Sequence, residues 1–213
     1  MAVAFARHEI RAVHTARMFQ DLLADERPYT LIEDAEGGVR YWSGLVDEAT
    51  ARRWFDALRD EAPWRSERRP MYDRVVDVPR LLAGFALDGS VELPPALREA
   101  AQAVRAAVPA PFTHVGMNFY RDGNDSVAPH NDKLYSIAPG QPIALLSLGS
   151  VRRMDIRSKA PPRNVVRLDL EPGSLLVMSH VSQLHYDHGV PKTKHAVGPR
   201  ISLAFRVRPP GKW

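Results

Sequence analysis

No cysteine occurs anywhere in the chain. Structural disulfides, a thiolate nucleophile and a cysteine-held zinc are therefore excluded, and any bound metal must be held by His, Asp or Glu. Long apolar runs are missing too. The opening stretch MAVAFARHEIRAVHTARMFQDLL is interrupted by charge too often for a secretory signal or a membrane span. It is basic, as a transit peptide would be, but Glu9 and Asp21 enter it. A cytoplasmic chain with no membrane attachment is expected. There is no internal repeat and no long low-complexity segment.

What is present suits a globular protein. The chain has 213 residues, 45% hydrophobic and 25% charged, enough for one domain with a sizeable core. Its 29 Lys and Arg against 25 Asp and Glu leave a net charge of +4. A mildly basic surface suits nucleic acid, because neutralising phosphates is the sequence-independent part of such binding. Charge alone is a weak signal, since many basic proteins bind no polyanion. Nothing in the chain demands a partner subunit, and a monomer is expected.

The two halves read differently. In the first, Asp47 to Pro63 carries Ala49, Trp54, Phe55, Leu58 and Ala62 at helical spacing, and Pro63 stops it. Pro94 to Pro109 repeats that logic with prolines at both ends. TLIED and GVRYW are short edge strands. The second half changes period: HVGMNFY, PIALLSLGS, RRMDIRS, NVVRLDL, GSLLVMS and RISLAFRV are β-prone runs separated by turn formers. In the last, Ile201, Leu203, Phe205 and Val207 face one way, and Arg200, Ser202, Ala204 and Arg206 the other. The expected class is α+β, an antiparallel double sheet buttressed by helices.

Between the two regimes lies YRDGNDSVAPHNDKLYS, with His130 and Asp132 one residue apart. On extended backbone both side chains point the same way. A second His would complete a two-His, one-carboxylate face, which leaves positions of an iron(II) ion open. Alone, such a pair is common by chance. MSHVSQLHYDHGV offers His180, His185 and His188. His188 is preferred because it follows a strand and an irregular loop, and Gly189 beside it lets backbone approach a metal; the others are surface or neighbouring histidines. Arg200 and Arg206, six apart on one strand, share a face. Either one faces solvent while the other snorkels, or they grip a dianionic ligand or the metal's own carboxylate; the ligand is favoured.

In order and spacing, NFYRDG, HND, His188 and RISLAFR resemble the AlkB-type iron(II) and 2-oxoglutarate-dependent dioxygenases. His188 stands 56 residues after Asp132, Arg200 another 12 on, and Arg206 another 6. APGQPIALLSLG and VVRLDLEPGSLLVMS add to a likeness that runs from Trp64 to Arg206. The resemblance implies a double-stranded β-helix (jelly-roll) core over about residues 111–208, with helical support and a nucleotide-recognition lid over about 1–110, in a single domain. His130, Asp132 and His188 match the Fe(II) ligands. Arg200 matches the arginine on the distal carboxylate of 2-oxoglutarate, and Arg206 the one near its metal-bound end. Asn118 and Tyr120 match residues that hold the co-substrate. Ser202 stands where relatives often carry Asn.

The activity so implied is oxidative removal of N-linked methyl groups, from N1-methyladenine and N3-methylcytosine in DNA and in RNA. Fe(II) is the cofactor, 2-oxoglutarate and O2 are co-substrates, and formaldehyde and succinate are released. The target base must be flipped out or single-stranded. The lid matches Arg65 to Phe85, where five arginines, Arg65, Arg68, Arg69, Arg74 and Arg80, accompany Tyr72 and Phe85. Tyr72, Arg80 and Phe85 are the expected nucleotide contacts; the bland alternative is a solvated basic loop with Phe85 in the core. PKTKHAVGPR is a second basic loop. Lys133 and Leu134 stand where relatives often have acidic residues, one of which helps recognise the base, and Phe85 where many have Tyr. Another substrate of the same oxidation (modified RNA, a protein or a small molecule) and a non-catalytic nucleic-acid-binding module are the alternatives. A zinc hydrolase would leave both arginines unexplained.

Overall fold

The computed structural model describes residues 28–71 and 74–209; the N-terminal stretch read above for targeting, and Tyr72, lie outside them. In chain order the elements are β1 (Tyr29–Ile32), β2 (Val39–Trp42), α1 (Glu48–Glu61), β3 (Arg68–Met71), β4 (Arg74–Asp77), β5 (Leu81–Ala86), α2 (Pro95–Ala107), β6 (His114–Tyr120) and β7 (Val127–His130). There follow β8 (Ile143–Gly149), β9 (Arg152–Ser158), β10 (Val165–Leu170), β11 (Leu175–Met178), the short α3 (Ser182–His185), β12 (Tyr186–Val190) and β13 (Arg200–Arg206). Among the described residues no helix is long and apolar enough to cross a membrane.

Two antiparallel sheets result. The larger has the order β1-β2-β11-β8-β13-β6-β5, the smaller β10-β9-β12-β7, and β3 with β4 forms a separate hairpin. The pair is consistent with a jelly-roll core. Strand alternation on β13 explains the layering. Ile201, Leu203 and Phe205 join the cluster under the helices, with Trp54, Leu58, Leu97 and Val104. Ala204 instead joins the cluster that contains Ile143, Leu145, Met154, Ile156, Leu170 and Val190. A buried side chain of that size contributes about 1.5–3 kcal/mol, so the middle strands β8 and β13 anchor both layers. Arg200, Ser202 and Arg206 lie on the same face as Ala204, between the sheets.

α1 starts where the Asp47 carboxylate accepts the main-chain N–H of Thr50 at 2.7 Å, a side-chain cap. Its buried stripe is Ala51, Trp54, Phe55 and Leu58. Ala49, expected inside, faces solvent: the spacing of three and four back from Trp54 and Phe55 falls on Ala51. α2 buries Ala96, Leu97, Ala100, Ala101 and Val104.

The first half is less helical than its composition suggests. β1, β2 and β5 border the large sheet on both sides, so residue 110 divides no layer from another. LLAGFA lacks a period of two and contains Gly84, which hides a strand that its ladder with β6 enforces. β7 and β12 also escape a search for β-prone runs. β7 contains Pro129 and lies at the end of its sheet, where a missing N–H is tolerated.

Candidate active site

The edge strand β7 and its neighbour β12 bring the site together. His188 on β12 is the direct cross-strand partner of His130 on β7, and their ring centroids are 4.5 Å apart. His130 Nδ1 contacts the Ala128 carbonyl at 3.0 Å. A carbonyl only accepts, so Nδ1 carries the proton and Nε2 is the nitrogen left to bind. His130 is exposed and His188 only 5% so. Burial, with His130 beside it, holds the His188 imidazole down at about 3, neutral as ligation requires. Gly189 serves the strands rather than a metal. A Cβ there would meet the Val127 oxygen at 2.8 Å and the Pro129 nitrogen at 3.0 Å.

Asp132 lies just past the end of β7. Arg206 grips its carboxylate, Nε donating to Oδ2 at 3.1 Å and Nη2 to Oδ1 at 3.0 Å and Oδ2 at 2.9 Å. Burial would raise this carboxyl; Arg206, His188 and His130 outweigh it and lower it. The arginine thus holds the carboxylate charged beside the two imidazoles. As the side chains stand, no three His, Asp or Glu among the described residues form a group that could hold a metal ion.

Arg200 is 1% exposed. Its Nη2 donates to Ser147 Oγ at 2.9 Å, while Nε and Nη1 have no protein partner. Its Cζ lies 5.2 Å from the centre of the Tyr120 ring. Ser202, paired with both Ser147 and Asn118 across the sheet, is buried alongside. Burial pushes the Arg200 guanidinium below its ordinary value, partly offset by Tyr120. An unpaired buried cation is costly, and the N–H groups that this one leaves without a protein acceptor suit an anionic oxygen.

Arg80 belongs to this pocket. Its Nε donates to Asn118 Oδ1 at 2.7 Å and its Nη1 to the Ser126 carbonyl at 3.1 Å. Of the other expected nucleotide contacts, Tyr72 lies outside the described residues. Phe85 pairs across the sheet with Val115 and packs against the cluster beneath the helices, on the face opposite Asn118. Phe85 is partly buried there, packed against the cluster.

Three further residues shape the site. Ser147 is a polar residue at an inward position of an apolar strand, a signal visible in ALLSLG. Arg152, 3% exposed, donates to the carbonyls of Asp122, Asp125 and Pro191 at 2.8 Å each. It thereby ties the loop before β7 to the loop after β12. Gln183 accepts the Asp132 main-chain N–H.

The donor set suits the groups expected here. Two imidazoles and a carboxylate are the ligands of a facial Fe(II) site, and the orphaned N–H groups of Arg200 suit a carboxylate of 2-oxoglutarate.

A family model described as the 2OG-Fe(II) oxygenase superfamily matches residues 38–206. The chain is 38% identical over 197 residues to the DNA oxidative demethylase ALKBH2 of Bos taurus, covering 89% of this chain and 66% of that protein. It is 42% identical over 102 residues to the Homo sapiens protein of the same name, covering 45% and 39%. Against the alpha-ketoglutarate-dependent dioxygenase alkB homolog 3 of Mus musculus it is 29% identical over 187 residues, covering 79% and 65%. The matches thus span less than two thirds of these relatives' own lengths. A solved structure titled "The structure of OsALKBH1" matches 85% of this chain and 100% of that one at a TM-score of 0.55 and 17% identity, a likeness of fold alone.

Proposed function

Because the chain belongs to the 2OG-Fe(II) oxygenase superfamily, within its AlkB-type group, we propose that it is an oxidative demethylase of alkylated nucleic acid. N1-methyladenine and N3-methylcytosine, in DNA or RNA, are the proposed substrates. The fold is then a double-stranded β-helix acting as one domain, and the enzyme a cytoplasmic monomer. The observation that carries the reading is the buried guanidinium of Arg200, two of whose three nitrogens have no protein partner, on the same strand face as the Arg206 that grips Asp132.

Fe(II) held by His130, Asp132 and His188 would supply, with 2-oxoglutarate and O2, the oxidation of an N-methyl group to a hydroxymethyl that leaves as formaldehyde, while succinate and CO2 are formed. The chain's own groups position and shield. Arg200 receives the distal carboxylate of the co-substrate, with Ser147, Ser202 and the Tyr120 ring closing around it. Asn118 has its carbonyl oxygen occupied by Arg80, so its NH2 is the end left to donate to an anion. Arg206 keeps Asp132 ionised. Buried His188 and exposed His130 leave the site open at the β7 edge, where a flipped base would enter. The β3–β4 hairpin and its flanks, with Arg65, Arg68, Arg69, Arg74 and Tyr72, are the proposed lid for phosphate contact and stacking.

Lys133, exposed immediately after Asp132, supports a second reading. The same oxidation would then serve another substrate, because a lysine rather than an acidic residue follows Asp132 in the chain.

The test is incubation with Fe(II), 2-oxoglutarate, ascorbate and O2, and an oligonucleotide carrying a single N1-methyladenine or N3-methylcytosine. Mass spectrometry should show loss of one CH2 per lesion, abolished without 2-oxoglutarate and in Asp132→Ala, which should stay folded. Succinate without demethylation would move the assignment to the second reading.

A further inference from the structure

β7 stops at His130, so the strand ladder that sets His130 against His188 does not reach Asp132. The Asp132 main-chain N–H is instead taken by Gln183 Oε1 at 3.0 Å, 51 positions away in the chain. Gln183 is 2% exposed. Its amide is oriented from the other end, Nε2 donating to Ser182 Oγ at 3.2 Å and lying 3.9 Å from Met178 Sδ. Its main chain is fixed as well: the carbonyl accepts Lys159 Nζ at 2.8 Å.

The segment that carries Gln183 is latched to the β1–β2 turn. Ser179 Oγ donates to Asp34 Oδ2 and accepts the Ser182 N–H at 2.9 Å. The other Asp34 oxygen accepts the N–H groups of Glu36 and Gly38 at 2.8 Å each. Glu36 itself accepts the Val181 N–H at 2.9 Å. A continuous chain of hydrogen bonds therefore runs from the β1–β2 turn through Ser179, Ser182 and Gln183 to Asp132.

We propose that Gln183 is a positioning residue for the metal site: it takes the place of the missing ladder bond and fixes the backbone from which the Asp132 carboxylate is delivered. The proposal rests on the metal-site reading given above. A carboxylate ligand on unsupported loop backbone samples many positions, and partners that orient metal ligands from behind typically change affinity ~10–100-fold when lost.

The test reads metal affinity directly. Mn(II), an air-stable stand-in for Fe(II), is titrated into wild type, Gln183→Met and Gln183→Glu, with free Mn(II) followed by electron paramagnetic resonance. Met keeps the volume and removes the acceptor; Glu keeps an oxygen at the same reach. The expected result is weakening by about 10–100-fold for Gln183→Met and by no more than a few-fold for Gln183→Glu. Wild-type affinity in Gln183→Met, or equal loss in both variants, overturns the proposal. If Gln183→Met does not fold, Ser182→Ala removes the acceptor that orients the amide: weaker Mn(II) binding supports the role, and unchanged binding overturns it. A wild-type protein that binds no Mn(II) defeats the metal-site reading itself, and this role with it.

Discussion

Arg80 Nε donates to Asn118 Oδ1 at 2.7 Å, joining a residue expected at the nucleotide to one expected at the co-substrate. The bond spans 38 sequence positions and links the residue just before β5 to β6. By occupying the carbonyl end of the amide, Arg80 decides which end of Asn118 an anion meets.

Arg80→Ala should therefore act on co-substrate use before it acts on nucleic acid. A hydrogen bond from a charged donor contributes about 1.5–3 kcal/mol, which corresponds to a rise in KM for 2-oxoglutarate of roughly 10-fold or more. Oligonucleotide affinity should stay close to wild type, because the hydrogen bonds of Arg80 to Asn118 and Ser126 hold it to the protein rather than to a phosphate. Succinate formation at varied 2-oxoglutarate, beside an oligonucleotide binding curve, separates the two. A large loss of oligonucleotide affinity with unchanged KM for 2-oxoglutarate would return Arg80 to the lid.

Arg200→Met should separate stability from function. Replacing a buried, incompletely paired charge by an apolar chain of similar length is often neutral or stabilising by about 1–4 kcal/mol. The melting temperature of the variant without 2-oxoglutarate should equal or exceed that of wild type. The shift that 2-oxoglutarate produces in wild type should vanish. A variant that melts well below wild type would make Arg200 a structural residue.

Gly189→Ala should open the metal pair. The added Cβ would stand 2.8 Å from the Val127 carbonyl oxygen, so β7 must move away from β12 and carry His130 from His188. Overpacking of this kind costs about 1–3 kcal/mol. The expected outcome is a lower melting temperature together with weaker Mn(II) binding. Lower stability with wild-type Mn(II) affinity would mean that His130 and His188 do not bind the ion together.

Much of this architecture is legible in the chain because it rests on local periodicity. The alternation of RISLAFRV places Arg200 and Arg206 on one face, and the β-prone runs of the second half are strands. His130 and His188 are legible as residues, but their pairing is not. β7 holds Pro129 and β12 holds Gly189, and both look like loop until each supplies the other's ladder. Phe85 shows another limit. LLAGFA has no alternation, so only the register with Val115 reveals that its ring faces the helices. Arg152 opens RRMDIRS and looks solvated, yet it is 3% exposed because three carbonyls from two loops converge on it. Arg80 and Gln183 act through partners far away in sequence, where no pattern within a window can point.

The measurement that bears most directly on the central claim is stoichiometry in a single tube. Purified protein is given Fe(II), 2-oxoglutarate, O2 and an oligonucleotide with one N1-methyladenine, and formaldehyde, succinate and restored adenine are counted together. Equal amounts of all three, each falling to background in Asp132→Ala, are the predicted result. Succinate formed at the same rate whether or not the methylated base is present, with no formaldehyde, would contradict the assignment of this site to nucleic-acid demethylation.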